Sequence, residues 1–124
     1  MSTILLSVKP EYAERILKGI KRFEYRRHLP REIIENIVIY STSPQKRVVA
    51  KVEVIGVISE SPQVVWEITK EYSGISYARY VEYFRNHNIA FAFQLGEIEL
   101  FTPPKGLAEY RIKNPPQSFM YLAD

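Results

Sequence analysis

The sequence contains no cysteine, and only two of its 124 residues are histidine. The lack of cysteine excludes disulfides, thiolate metal sites and a cysteine nucleophile. The two histidines, His28 and His87, are 59 residues apart, so the chain offers no compact ligand set for a catalytic zinc ion. We therefore predict a protein that uses no metal and no cofactor, in a reducing compartment.

Long apolar runs and several familiar catalytic motifs are also missing. No apolar run approaches the length of about 18 residues that a membrane-spanning helix needs. Residues 1–9 lack the basic start and the long apolar core of a signal peptide. There is no glycine-rich phosphate loop, dinucleotide fingerprint or G-x-S-x-G elbow. We expect a cytoplasmic protein with no membrane partner, and the sequence gives no indication of its oligomeric state.

The composition fits one globular domain covering residues 1–124, because 46% of the residues are hydrophobic. The net charge of +3 is modest, but the charge is unevenly distributed. Between residues 15 and 31, one acid accompanies seven bases: Arg15, Lys18, Lys21, Arg22, Arg26, Arg27 and Arg31. Such a strip indicates a local anionic partner. The alternative is a solvated helix face followed by a basic loop.

Apolar periodicity and turn residues predict an α+β fold. The predicted strands are 3–8, 21–27, 37–40, 47–59, 89–101 and a short one within 115–122. The predicted helices are 10–18, one from Pro62 to about residue 73, and 77–88, and residues 107–112 form a helical turn or an irregular segment. This inventory suits a small curved or closed β-barrel of five to six strands with about three flanking helices. An open α+β sheet is the alternative.

Residues 19–27 combine a glycine, two aromatic residues and alternating charges, which is typical of a turn that leads into a strand. If the aromatic residues face the core, Arg22, Glu24 and Arg26 share the opposite face. Lys21 stands at the strand entrance, where a turn can direct it to the same place. Together these groups suit an anion, a phosphate or the polar edge of a base. The alternative is a solvated face with a cross-strand ion pair.

The loop after strand 37–40 is a second candidate for binding. Its residues 41–46 carry three hydroxyl side chains, a proline and a lysine. Hydroxyls and a lysine at a strand end can bind phosphate, so Ser41 and Lys46 are candidate binding residues. An ordinary hairpin turn has the same composition.

Residues 19–26 match, position for position, the G-x-K-x-x-E-x-R pattern of the ASCH domain family. That family belongs to the PUA-like superfamily of small β-barrels. Residues 5–18 and 115–121 also resemble the first and last segments of stand-alone prokaryotic members, so the likeness covers nearly the whole chain. The resemblance implies a PUA-like barrel with a cleft between the barrel and the first helix, and RNA or a nucleotide-like molecule as the ligand.

The motif positions also imply roles for individual residues. Lys21 and Arg26 would hold a phosphate or a base carbonyl, and Glu24 would accept hydrogen bonds from an amine or a ribose hydroxyl. Aromatic side chains supply stacking in single-stranded RNA recognition, and the candidates are Tyr25, Tyr40 and Phe91, although each is also a natural core residue. The complete set of candidate binding residues is Gly19, Lys21, Arg22, Glu24, Arg26, Arg27, Ser41 and Lys46.

A hydrolase is the alternative function. Some ASCH-like proteins hydrolyse the amide of acylated cytidines with a lysine, a threonine and a glutamate. Lys21 matches the lysine, but Glu24 stands at the threonine position, and the distant glutamate has three candidates: Glu60, Glu67 and Glu71. A ribonuclease would instead use Glu24 as one member of an acid–base pair, with either Lys21 or His28 as the other. Lys21 and Glu24 are therefore the candidate catalytic residues if the protein is an enzyme.

Overall fold

The computed structural model describes residues 2–123. Within them lie six strands: β1 (Ser2–Val8), β2 (Phe23–Arg26), β3 (Ile34–Ser41), β4 (Arg47–Glu60), β5 (Ala90–Lys105) and β6 (Phe119–Leu122). The helices are α1 (Pro10–Leu17), α2 (Pro62–Thr69) and α3 (Tyr77–Tyr83). Short 3-10 turns cover Lys70–Tyr72 and Leu107–Tyr110. None of the helices in this part of the chain is long and apolar enough to cross a membrane.

The strands form one mixed sheet in the order β2-β5-β4-β3-β1-β6. Only β1 and β3 run parallel, and every other neighbouring pair is antiparallel. The long β4–β5 pair has three register shifts between Val48 and Gly56, and such irregularities bend a strand pair. The α+β class and the strand number are confirmed. Closure into a barrel is not, because no pairing within residues 2–123 joins the edge strands β2 and β6.

Both faces of the central sheet are buried, as β1 shows. Ile4 and Leu6 pack with Ile16 of α1 in one cluster, whereas Leu5 packs with Val38 in another. Successive side chains of a strand point to opposite faces, so the unbroken apolar run of β1 requires cover on both sides. A third cluster lies between α2, α3 and the β2–β5 pair.

Helix boundaries follow local chemistry. Pro10 occupies the first turn of α1, and Ser61 and Ser76 cap α2 and α3 by accepting the N–H groups of Val64 and Arg79. These three helix starts are confirmed.

Several predicted boundaries are wrong. The strand predicted at 21–27 is confined to Phe23–Arg26. The helix predicted at 77–88 ends at Tyr83, and β3 begins at Ile34 rather than at residue 37.

The strand predicted to end before Pro103 continues to Lys105. Pro103 and Pro104 are tolerated there because both edges of β5 are unpaired at these residues. On one side β2 pairs only with Phe91–Gln94, and on the other β4 has no register partner between Leu100 and Lys105.

Candidate functional site

A cleft of about 830 Å³ opens where the edge strand β2 approaches the end of β1. Helices α1 and α3 form its other walls. Five lining residues come from the charged stretch: Lys21, Glu24, Tyr25, Arg26 and Arg27. The others are Ser7, Val8, Lys9, Tyr12, Thr42, Ile75, Ala78, Arg79, Glu82, Tyr83 and Gln117. The predicted wall from the first helix is present, but α3 supplies a second wall that was not predicted.

The end of α1 positions Lys21. Gly19 has a φ of +76°, and it donates its N–H to the Ile16 carbonyl while Ile20 donates to the Arg15 carbonyl. This Schellman motif requires the left-handed conformation that glycine adopts most readily. The turn directs the Lys21 side chain inward, where only 3% of the residue is exposed.

Three consecutive backbone carbonyl groups in the loop after α2 accept hydrogen bonds from the residues that lead into β2 and from α1. The Lys21 Nζ donates to the Ser73 carbonyl at 2.8 Å. The Tyr72 carbonyl accepts the N–H of Arg22 at 2.9 Å, and the Gly74 carbonyl accepts Arg15 Nη1 at 2.9 Å. Gly74 has a φ of +63°, and a Cβ there would overlap the Lys21 side chain. Only glycine therefore allows this loop to pack against Lys21.

The surroundings of Lys21 lower the pKa of its amine to about 8, chiefly through burial. Glu24, whose Oε1 lies 3.9 Å from Nζ, opposes the shift, while the guanidinium groups of Arg26 and Arg15 reinforce it. The Nζ also lies 4.6 Å from the centroid of the Tyr25 ring. At pH 7 about a tenth of the molecules therefore carry a neutral amine at this position.

Glu24 and Arg26 are bound to one another. Glu24 Oε2 accepts Arg26 Nε at 3.0 Å and Nη2 at 2.6 Å. The same guanidinium also contacts β1 and the residue before β6. Nη2 donates to the Ser7 carbonyl at 3.2 Å, and Nη1 donates to Ser118 Oγ at 3.4 Å. Arg26 thus joins β2 to β1 at the place where the sheet does not close. Because Glu24 Oε2 is already occupied by Arg26, the direct effect of this oxygen is to orient the guanidinium.

The aromatic faces of the cleft belong to Tyr12 and Tyr83, both half-buried. The Arg27 guanidinium lies 4.2 Å from the centroid of the Tyr83 ring, and its Nε donates to the Tyr83 carbonyl at 2.7 Å. Lys21 Nζ lies 5.6 Å from the Tyr12 ring centroid. Desolvation raises the pKa of the Tyr83 hydroxyl. The helical spacing of Tyr12 is that of a core residue, and nothing near Tyr83 in sequence links it to the motif.

The aromatic candidates taken from the sequence are placed differently. Tyr25 lines the cleft but is buried, and its hydroxyl is hydrogen-bonded to Thr69 Oγ1 at 2.7 Å. Tyr25 is the donor, because Thr69 Oγ1 donates its own proton to the Val65 carbonyl. Burial of this hydroxyl raises its pKa to about 12. Tyr40 is buried in the cluster on the other sheet face, and Phe91 is outside the cleft lining.

Four of the candidate binding residues also lie outside the cleft lining. Gly19 shapes the turn beneath it, and the Arg22 guanidinium packs 4.3 Å from the centroid of the Tyr72 ring. Ser41 is fully buried, and its Oγ has no hydrogen-bond partner within residues 2–123. Lys46 is exposed in the loop that follows β3.

The residues considered for other chemistries do not join the cleft. Glu60, Glu67 and Glu71 are exposed and outside its lining, so none takes the place of the amidohydrolase glutamate. The His28 ring instead packs edge-on against His87, with 6.1 Å between ring centroids. Among the residues described, no three histidine, aspartate or glutamate side chains come together as a metal site.

Sequence comparison finds a family model and several relatives that carry different names. The model of the ASCH domain matches residues 6–99. An "ASCH domain-containing ribonuclease" of Zymomonas mobilis is 30% identical over 122 residues, which cover 95% of this chain and 82% of the relative. In Ureaplasma parvum, an "ATP synthase subunit alpha" is 28% identical and a "Large ribosomal subunit protein uL22" is 26% identical. The chain spans only 15% and 39% of the length of these two relatives.

Solved structures agree with the sequence comparison. The crystal structure of the ASCH protein from Zymomonas mobilis superposes with a TM-score of 0.90 at 27% identity, covering 98% of this chain and 88% of that one. A tyrosine-to-phenylalanine mutant of the same protein has a TM-score of 0.90 at 26% identity, with 99% and 91% covered.

Proposed function

The chain belongs to the ASCH domain family, and we propose that it binds single-stranded RNA, or a nucleotide-like fragment of it, in the cleft between α1, α3 and the sheet. The observation that carries this proposal is the charge of the cleft. Five bases and two acids line it, and three of these residues, Lys21, Glu24 and Arg26, are the charged motif positions. A concave surface with such an excess of positive charge attracts anionic ligands.

The side chains divide into groups that suit different parts of a nucleotide. Lys9, Arg27 and Arg79 line the cleft with donors that suit phosphate oxygens. Tyr12 and Tyr83 offer faces on which a base can stack. Glu24 orients the Arg26 guanidinium, and the N–H groups of Arg26 that Glu24 does not accept can donate to a base carbonyl or a phosphate. The volume of about 830 Å³ suits a base that has left the stack of a single strand.

RNA cleavage in the same cleft is the second candidate, and a specific relative favours it. The Zymomonas mobilis protein named a ribonuclease is 30% identical to this chain. In such a reaction the neutral Lys21 amine would accept the proton of a ribose 2′-hydroxyl as its oxygen attacks phosphorus. The P–O5′ bond breaks, and the protonated lysine returns the proton to the leaving oxygen. The products are a 2′,3′-cyclic phosphate and a 5′-hydroxyl.

A titration of fluorescent single-stranded RNA over a range of salt concentrations tests the binding proposal. The variant is Arg27→Gln, and the matched control is Lys70→Gln, an exposed base paired with Glu67 far from the motif in sequence. We expect the slope of log affinity against log salt to fall by about 0.7 in Arg27→Gln only, which is the loss of one phosphate contact. Equal slopes in the two variants would contradict binding in the cleft.

A gel of the same samples after incubation tests cleavage. Shortened RNA with the wild-type protein and intact RNA with Lys21→Met would support the ribonuclease. Cleavage that persists in Lys21→Met would exclude Lys21 as the base. Salt-dependent binding without cleavage would leave the protein as a binding module.

A further inference from the structure

A second group of basic side chains lies at the end of the sheet that adjoins the cleft. The strand register defines this end, since Val8 is beside Ser41, Ser41 is opposite Arg47, and Val48 is opposite Lys105. Crossing from β1 to β5 along this end, one meets four bases in turn, here called the basic rim: Lys9, Lys46, Arg47 and Lys105.

The basic rim carries four bases, and one acid, Glu109, lies close to Lys105 in sequence. None of the ion pairs within residues 2–123 includes a residue of the rim. Three of the four side chains are exposed, and the half-buried Lys105 places its ammonium 4.1 Å from the centroid of the Phe101 ring. The nearest acid in sequence to Lys105 is Glu109, whose carboxylate accepts the Gly106 N–H at 3.3 Å.

Acidic side chains collect toward the opposite end of the same sheet. Glu35 stands near the start of β3, and Glu53 lies one strand away, opposite Asn36. Glu97 of β5 donates its N–H to Glu53 Oε1 at 3.5 Å. These acids lie away from the basic rim, whose own positive charge attracts a polyanion.

The basic rim continues the wall of the cleft. Lys9 belongs to both, and Thr42, which lines the cleft, donates its N–H to the Val8 carbonyl at 2.9 Å. The Lys46 N–H in turn donates to the Thr42 carbonyl at 3.3 Å. From this continuity we propose that a single RNA strand with one base in the cleft runs on over the basic rim, which binds its phosphates. The inference rests on the proposed function and adds the path of the strand.

This path makes affinity depend on the length of the RNA. From β1 to β5 the rim crosses three inter-strand steps, about 14 Å in all, so a very short oligonucleotide held in the cleft does not cover it. Lysine and arginine contacts to phosphate carry no direct sequence information. The rim therefore adds salt-dependent affinity without adding base specificity.

The test compares a dinucleotide, which reaches no farther than the edge of the cleft, with a dodecanucleotide of single-stranded RNA, each titrated at several salt concentrations. The rim variant is Lys46→Gln/Arg47→Gln, in an exposed loop where glutamine keeps side-chain length. The control is Lys51→Gln/Lys70→Gln, which removes the same charge outside the cleft and the rim. We expect the dodecanucleotide slope to fall by about 1.4 and its affinity to fall about tenfold in the rim variant only. Dinucleotide binding should be unchanged.

The possible failures are distinguishable. If the rim variant and the control bind the dodecanucleotide alike while Arg27→Gln weakens both RNAs, the rim proposal is wrong and the proposed function stands. If the wild-type protein binds neither RNA, both are wrong. If the rim variant binds RNA normally but loses binding to polyglutamate, the partner of the rim is an acidic protein and the RNA path is wrong.

Discussion

Replacing Lys21 by methionine should change how the stability of the protein depends on pH. The side chain is 3% exposed, and its burial lowers the pKa of the amine from 10.5 to about 8. Methionine has a similar length and no charge. Glu24 keeps its two hydrogen bonds from Arg26 in the variant, so no carboxylate is left without a partner. Methionine also loses the hydrogen bond to the Ser73 carbonyl, so the cost of burying the charged lysine is given by how the difference between the two proteins changes with pH.

The magnitude follows from proton linkage. Between pH 8 and 10.5 the unfolded chain binds more protons at Lys21 than the folded chain, so the free energy of unfolding rises with pH across this window. The penalty is fully present below pH 8 and amounts to about 3 kcal/mol. Between pH 7 and 10 the wild-type protein should thus gain about 2 to 3 kcal/mol relative to Lys21→Met.

Urea denaturation of both proteins at pH 7 and pH 10 measures this difference. Tyr25, with its pKa raised to about 12 by burial, has the opposite effect above pH 10, but it is present in both proteins. The control is Lys70→Met, at an exposed lysine, for which the difference from wild type should hardly change with pH. A constant difference between wild type and Lys21→Met across this range would refute the buried lysine and its lowered pKa.

Two further substitutions test how the site is held. Gly74→Ala should lower the free energy of unfolding by about 2 kcal/mol or more, because it combines a φ of +63° with overlap on Lys21. Gly106→Ala is the control, because Gly106 has a φ of −87° and open space around it, and its free energy of unfolding should stay within about 0.5 kcal/mol of wild type. Equal urea midpoints for the two variants would contradict the packing of the Gly74 loop against Lys21. Tyr25→Phe removes the 2.7 Å hydrogen bond to Thr69 and should cost about 1 kcal/mol in the same assay, whereas an unchanged midpoint would show that the bond does not form.

Local signals in the sequence predict much of the fold. Pro10 and Gly19 bracket α1, and the serine caps locate the starts of α2 and α3, because each acts through backbone groups within a few residues. The motif spacing brings Lys21, Glu24 and Arg26 into one cleft. The bend of the β4–β5 pair also has local signals, because two of its register shifts fall at Gly56 and beside Gly96, glycines that interrupt the alternation of the two strands.

The rest of the site depends on long-range packing. The carbonyl of Ser73 that holds Lys21 lies 52 residues away in sequence, and Tyr83 reaches the cleft from a helix whose spacing indicates only core packing. At the end of β3 the alternation of side chains puts Ser41 inside and Thr42 at the cleft. The buried Ser41 hydroxyl and the Thr42 hydroxyl at the cleft are therefore neighbours in sequence, and a shift of one residue in strand register would exchange their positions.

The most direct test of the central claim is to fill the cleft without changing its charge. Ala78 is exposed on α3 and lines the cleft, so Ala78→Trp inserts a large ring there. Val81→Trp is the control, because Val81 is exposed on the same helix outside the lining. We predict that Ala78→Trp loses single-stranded RNA binding with an unchanged melting temperature, while Val81→Trp binds as wild type does. Wild-type affinity in a folded Ala78→Trp variant would contradict the claim that this cleft is the RNA site.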